Sequence, residues 1–193
     1  MKPSLLLLIA LAATALAQTH HITAVPYTVT DPGAYVLDNS VVGTIQVSAS
    51  NVTLDLGGKT LSGTVVASHV TGFVIQNGIL NSGGEAAPLI LNNVLSGKVS
   101  NLVLTGGISL FNCSGVLVGN NSITGMPPAV YSGLSPQGTS SRFSNSFQAN
   151  SVTLLPRVAG LTTPMTLSPF DVYSSNMFPA FPAGVTPVTR SSP

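Results

Sequence analysis

Five carboxylates are all the acid chemistry this chain carries: Asp31, Asp38, Asp55, Glu85 and Asp171. Hydrolysis of a glycosidic bond needs two of them facing each other across a sugar. β-Elimination needs a base, commonly Lys or Arg, and often acidic residues that hold Ca²⁺. Asp31 opens the turn signal Asp31-Pro32-Gly33. Asp55 lies between Leu54 and Leu56, so strand alternation turns it outward. Glu85 sits in a loop, Gly83-Gly84-Glu85-Ala86-Ala87. Asp55 and Glu85 form the one candidate catalytic pair, and only stacked coils would bring them together. A surface charge and a loop charge are the simpler reading, so no catalytic residue is expected.

Cys113 is the only cysteine, which excludes an intramolecular disulfide. A nucleophilic thiol needs an imidazole partner, and no spacing brings His20, His21 or His69 to it. A buried structural thiol is expected. If export removes the first 17 residues, Gln18-Thr19-His20 becomes the amino terminus. Its amine, two amides and the His20 imidazole form a square-planar Cu²⁺ or Ni²⁺ donor set. Cyclisation of Gln18 would remove that amine, so neither a metal nor a cofactor is expected. Asn51-Val52-Thr53, Asn112-Cys113-Ser114 and Asn120-Asn121-Ser122 match the N-glycosylation sequon. Chains rich in Asn, Ser and Thr also produce that pattern by chance.

These residues lie on a repeat. Val47–Gly63 reads as a strand through Val52, Leu54 and Leu56, a turn at Gly57-Gly58 and a second strand at Thr60-Leu61. Copies align on an apolar residue, then Ser/Thr, then Gly/Asn: Ala49-Ser50-Asn51, Val70-Thr71-Gly72, Leu95-Ser96-Gly97, Cys113-Ser114-Gly115 and Phe143-Ser144-Asn145. The middle residues step by 21, 25, 18 and 30, the period of a solenoid. Each copy continues to a turn residue, Gly57, Asn77, Asn101, Asn120 or Asn150. Asn and Gly tolerate the left-handed backbone of such corners, and stacked Asn residues can form a ladder. A third short piece precedes each later triplet, as in Val65–Ala67 and Ile108–Phe111. Three strands per coil are therefore expected. Strand parity shifts by one at Lys98-Val99 and Ser146-Phe147. Thr53, Thr60, Thr71, Thr105 and Thr124 line up in no sustained Thr-x-Thr column, so an ice-binding face is not expected. No Trp is present, and Phe73, Phe111, Phe143 and Phe147 read as core.

Residues 1–17 have the form of a signal peptide: Lys2, an apolar run over Leu5–Leu11, and Ala15-Leu16-Ala17 before the cut. Residues 18–46 would cover the open end of the stack, and 47–154 would hold the repeats. Residues 155–193 carry Pro156, Pro164, Pro169, Pro179, Pro182, Pro187 and Pro193. Proline is excluded from central strands, so this segment reads as a cap or a flexible tail. Only 6% of residues are charged and 44% are hydrophobic, a composition that folds. No apolar run beyond the signal is long enough for a membrane helix. With Lys2 removed, five basic residues balance five acidic ones. Nucleic-acid binding then has no electrostatic support.

The lead-in DPGAYVLDNSVVGTIQVSASNVTLDLGGKTLSG resembles the start of right-handed parallel β-helix repeat proteins of the pectate-lyase-like superfamily. Pro32, Gly33, Tyr35, Asn51–Leu56 and Gly58 carry the resemblance, which extends over about residues 26–153. It implies an all-β chain, a short right-handed parallel β-helix of about five coils with an N-terminal cap and a Pro-rich C-terminal tail. It implies no single activity, because that superfamily hosts lyases, hydrolases, epimerases, adhesins and binders. The Asn-Thr-Asp, Asp-Asp, Gly-His-Gly and Arg-Ile-Lys motifs of polygalacturonases are absent, as is the acidic calcium cluster of pectate lyases. The expectation is an exported, non-catalytic module with a structural, adhesive or polysaccharide-binding role, its partners polysaccharides or other surface or matrix proteins. The alternative is a small or degenerate polysaccharide lyase or hydrolase.

Overall fold

The chain is all-β, and among the described residues it forms a parallel β-helix of about five repeat coils. This computed structural model describes residues 18–83, 87–125, 129–133, 144–154, 165–167, 171–177 and 188–190. Residues 1–17, Glu85, Phe143 and most of the Pro-rich tail lie outside the described residues.

Three parallel sheets form the walls, and each coil from Gly33 to Leu167 visits them in the same order. The first sheet holds β1 (Thr19–Ile22), β3 (Gly33–Leu37), β5 (Val52–Asp55), the start of β7 (Val74–Asn81), the start of β9 (Lys98–Thr105), β11 (Leu117–Gly119), β14 (Ser146–Gln148) and β17 (Val172–Ser174). The second holds the starts of β4 (Val41–Val47) and β6 (Thr60–Ser68), the ends of β7 and β9, then β12 (Ser122–Gly125) and β15 (Ser151–Leu154). The third holds β2 (Tyr27–Val29), the ends of β4 and β6, β8 (Leu89–Asn92), β10 (Ile108–Phe111), β13 (Val130–Gly133), β16 (Met165–Leu167) and β18 (Val188–Arg190). Residues 18–46 thus add strands to the first coil in register.

Stacking makes columns. On the first sheet Tyr35, Leu54, Ile75, Val99, Val118 and Phe147 face inward one below another, all buried. The second sheet contributes Leu61, Leu80, Leu104, Ile123 and Val152, and the third Ile45, Val65, Leu89, Ile108 and Val130. No coil could bury these side chains alone, so the stack is the unit of stability. The column also removes the expected parity shift: Val99 and Phe147 keep the register of Leu54. The apparent shift at Phe147 came from the fifth triplet, where the pairing of Leu117 with Ser146 sets Ser144 opposite Gly115 and not Ser114, and the shift at Val99 came from the third. Leu95 pairs with Thr71 and Ser114, so Val94 is the buried counterpart of Val70 and Cys113, while Leu95 points out.

The corners use left-handed residues. Gly57, Asn77, Asn101 and Asn120 have φ of 57, 58, 56 and 58°, at the turn from the first sheet to the second. In the next coil that conformation falls on Ala149, φ 52°, and Asn150 is the buried residue after it. The corner from second to third sheet needs glycine for another reason. A Cβ on Gly63 would lie 1.9 Å from the Gly43 carbonyl oxygen, with φ at +154°.

Candidate functional site

Asp55 is spent on a corner. Its Oδ1 accepts the Gly57 amide at 2.8 Å, and its Oδ2 accepts Gln76 Nε2 and Asn77 Nδ2, both at 2.9 Å. Partial burial works to raise its pKa. The hydrogen bonds from Gln76, Gly57 and Asn77 to the ionised form outweigh that and hold it below the usual carboxylate value. The group is anionic and engaged on both oxygens, an arrangement suited to fixing a turn and not to abstracting a proton. The other described carboxylates are also engaged. Asp38 bonds His21 Nδ1 at 2.7 Å, and Asp31 accepts the Thr30 hydroxyl at 3.1 Å. Asp171 is only 2% exposed and accepts the Asn145 amide at 2.7 Å.

Cys113 is 1% exposed, with Sγ 3.3 Å from the carbonyl oxygens of Leu91 and Phe111. Burial pushes its pKa up to about 11, which leaves a thiol and no nucleophilic thiolate at neutral pH. His20 and Cys113 lie on different coils, His20 on β1 and Cys113 just before β11. The His20 ring stacks on Tyr35, centroids 4.6 Å apart and planes 17° apart, and so covers the top of the first inward column. Tyr35 in turn donates its hydroxyl to the Asp31 carbonyl at 2.9 Å. Among the described residues no cluster of three His, Cys, Asp or Glu side chains is placed to hold a metal ion.

The amide ladders split into two kinds. On the outside, Asn101 Nδ2 reaches Asn77 Oδ1 at 3.4 Å, and Asn93 Nδ2 lies 3.2 Å from His69 Nε2. Inside, a second ladder runs through Asn121, Asn150 and Asn176. Each Oδ1 accepts the backbone amide of the coil before: Leu102 to Asn121, Asn121 to Asn150, Asn150 to Asn176, at 3.0, 3.1 and 2.9 Å. Each Nδ2 donates to a first-sheet carbonyl, of Val99, Val118 and Phe147 respectively. The adjacent pairs Asn120-Asn121 and Ala149-Asn150 separate corner from ladder, a distinction of one residue that composition does not reveal. Of the sequon residues, Asn51 and Asn120 are exposed and Asn112 is partly so, and all three have positive φ.

One feature missed from sequence is an aromatic pair on the outside. Ile108 and Leu110 of β10 are buried, which turns Ser109 and Phe111 outward. Tyr131 of β13, beside Ser109 in register, also points out, and its ring sits 5.3 Å from Phe111. Ile90 and Asn92 of β8 precede Ser109 and Phe111 on the same face. Phe111 is therefore not a core residue, unlike Phe73 and Phe147, which are fully buried. Gly133 stands opposite Phe111 and leaves room for the Tyr131 ring: a Cβ there would meet the Tyr131 hydroxyl at 2.9 Å.

No family model, no curated protein and no solved structure matches this chain.

Proposed function

We propose that this protein is an exported, non-catalytic β-helix module that binds polysaccharide and serves a structural or adhesive role at the cell surface or outside the cell. We place it with the pectate-lyase-like superfamily on the lead-in resemblance and the stacked parallel coils. The observation that carries the reading is the Phe111–Tyr131 pair on the outer face of the third sheet. Aromatic faces cover the apolar side of a pyranose ring, and Asn92 and Ser109 supply adjacent hydrogen-bonding groups. The committed state of Asp55 favours binding over cleavage. Cleavage would need a carboxylate or base free to exchange a proton with the sugar.

The test is retention against turnover on one preparation. Pectin, alginate and β-glucans are assayed with and without Ca²⁺ for binding and for newly formed chain ends. Retention without new ends supports the reading. Chain ends that disappear in Asp55→Asn overturn it in favour of a small carbohydrate-active enzyme.

A further inference from the structure

The outer face of the second sheet carries two columns that strand register alone defines. One runs Thr60, Ile79, Val103, Ser122, Ser151. The other runs Ser62, Asn81, Thr105, Thr124, Thr153. The inward residue between them is buried in every coil. Five consecutive coils therefore present paired side chains: Thr/Ser, Ile/Asn, Val/Thr, Ser/Thr and Ser/Thr. On this face no coil carries a Thr-x-Thr pair, as expected; the register adds a polar column that ends in Thr105, Thr124 and Thr153. Pairing sets Thr105, Thr124 and Thr153 one below another.

The columns repeat at about 4.8 Å along the stack and roughly 6.7 Å across it, twice the rise per residue. No member of either column is charged. The hydroxyls of Ser62, Thr105, Thr124 and Thr153 have no hydrogen-bond partner among the described residues. Threonine, valine and isoleucine are stiff at χ1, which restricts the Thr60, Thr105, Thr124 and Thr153 hydroxyls and the Ile79 and Val103 methyls. Ile79 and Val103 keep 36% and 47% of their surface exposed in the middle of the face.

We infer that this face binds ice. A hydroxyl both donates and accepts, as a water oxygen in a lattice does. The methyls fill the gaps between rows without competing for hydrogen bonds. Charge complementarity points the same way: an uncharged array meets an uncharged lattice, and a charged group would hold its own hydration shell. A protein partner would look for Trp, Tyr or Arg anchors, and neither column has one. A sugar would look for an aromatic platform, and that lies on the third sheet.

The experiment measures thermal hysteresis and ice recrystallisation inhibition with the purified folded protein. Wild type should restrain ice growth. Thr124→Lys and, separately, Ser122→Lys should lose most of the effect, while Gln148→Lys, on the exposed side of the first sheet, should keep it. Unchanged urea midpoints would show that the fold is retained, and two target variants guard against one that misfolds. A folded wild type without effect on ice overturns the inference, as does equal loss in Gln148→Lys. Retention on crystalline cellulose that only Thr124→Lys abolishes, with ice growth unaffected, also overturns it.

Discussion

The Asn150 side-chain oxygen receives two hydrogen bonds from Asn121, one from its backbone amide at 3.1 Å and one from its side-chain amide at 3.0 Å. Both residues are buried. The pair continues through Asn176, so each amide fixes the vertical position of one coil on the next. Removing the acceptor leaves buried donors without partners, and such groups cost about 1–3 kcal/mol each. Asn150→Ala should therefore destabilise the protein by about 3 kcal/mol. Asn120→Ala loses only the tolerance of asparagine for φ near 58° and should cost about 1–2 kcal/mol. Urea denaturation of the two variants checks the order.

Gly63→Ala should be worse than either for a different reason. Its Cβ would overlap the Gly43 carbonyl oxygen, a backbone atom that no rotamer change moves. The expected loss is about 3 kcal/mol or more, read as a large fall in thermal midpoint or as failure to accumulate folded protein. Gly58→Ala is the comparison, since nothing lies within 4 Å of its added Cβ. Its cost should be confined to the left-handed backbone.

Asp55 makes stability depend on acid. Its native pKa is lowered relative to the unfolded chain. Its contribution is therefore complete above the ordinary carboxylate value near 3.9 and is lost as pH falls through the lower native value. A urea midpoint measured from pH 6 to pH 2.5 should fall through that window. Asp55→Asn should be less stable at pH 6, because an amide nitrogen would face the Gln76 and Asn77 donors, and its profile should be flatter. An identical pH slope in the variant would show that the cradle does not stabilise the ionised form.

The Cys113 thiol should be silent in the folded state. Burial and a pKa of about 11 both suppress thiolate. A chromogenic disulfide reagent at pH 8 should react negligibly with native protein and with one equivalent in urea. Rapid native labelling would contradict the burial.

Much of this was legible before the fold was known. The alternation in Val52, Leu54 and Leu56 and the recurring Gly57, Asn77, Asn101 and Asn120 define strands and corners because both are local properties. Which of two adjacent residues turns inward is not local. Val94-Leu95 offers two apolar side chains, and only the pairing of Leu95 with Thr71 and Ser114 selects Val94 for the core. Asn120-Asn121 poses the same choice for the ladder. Phe111 did carry a signal: it shares parity with Ser109 and not with Ile108 or Leu110. Hydrophobicity alone put it in the core. Thr105, Thr124 and Thr153 each follow a left-handed corner, Asn101, Asn120 and Ala149, by four residues, and placing the last corner at Asn150 hid the third of them.

The central claim is that the third-sheet aromatic pair holds a polysaccharide that the protein does not cut. Affinity electrophoresis through gels containing single soluble polysaccharides tests it most directly. Wild type should be retarded by at least one polymer, and Phe111→Ala and Tyr131→Ala, with urea midpoints near wild type, should migrate as they do in a polymer-free gel. Retardation that survives in both variants, or folded wild type that no polysaccharide retards, would contradict the account.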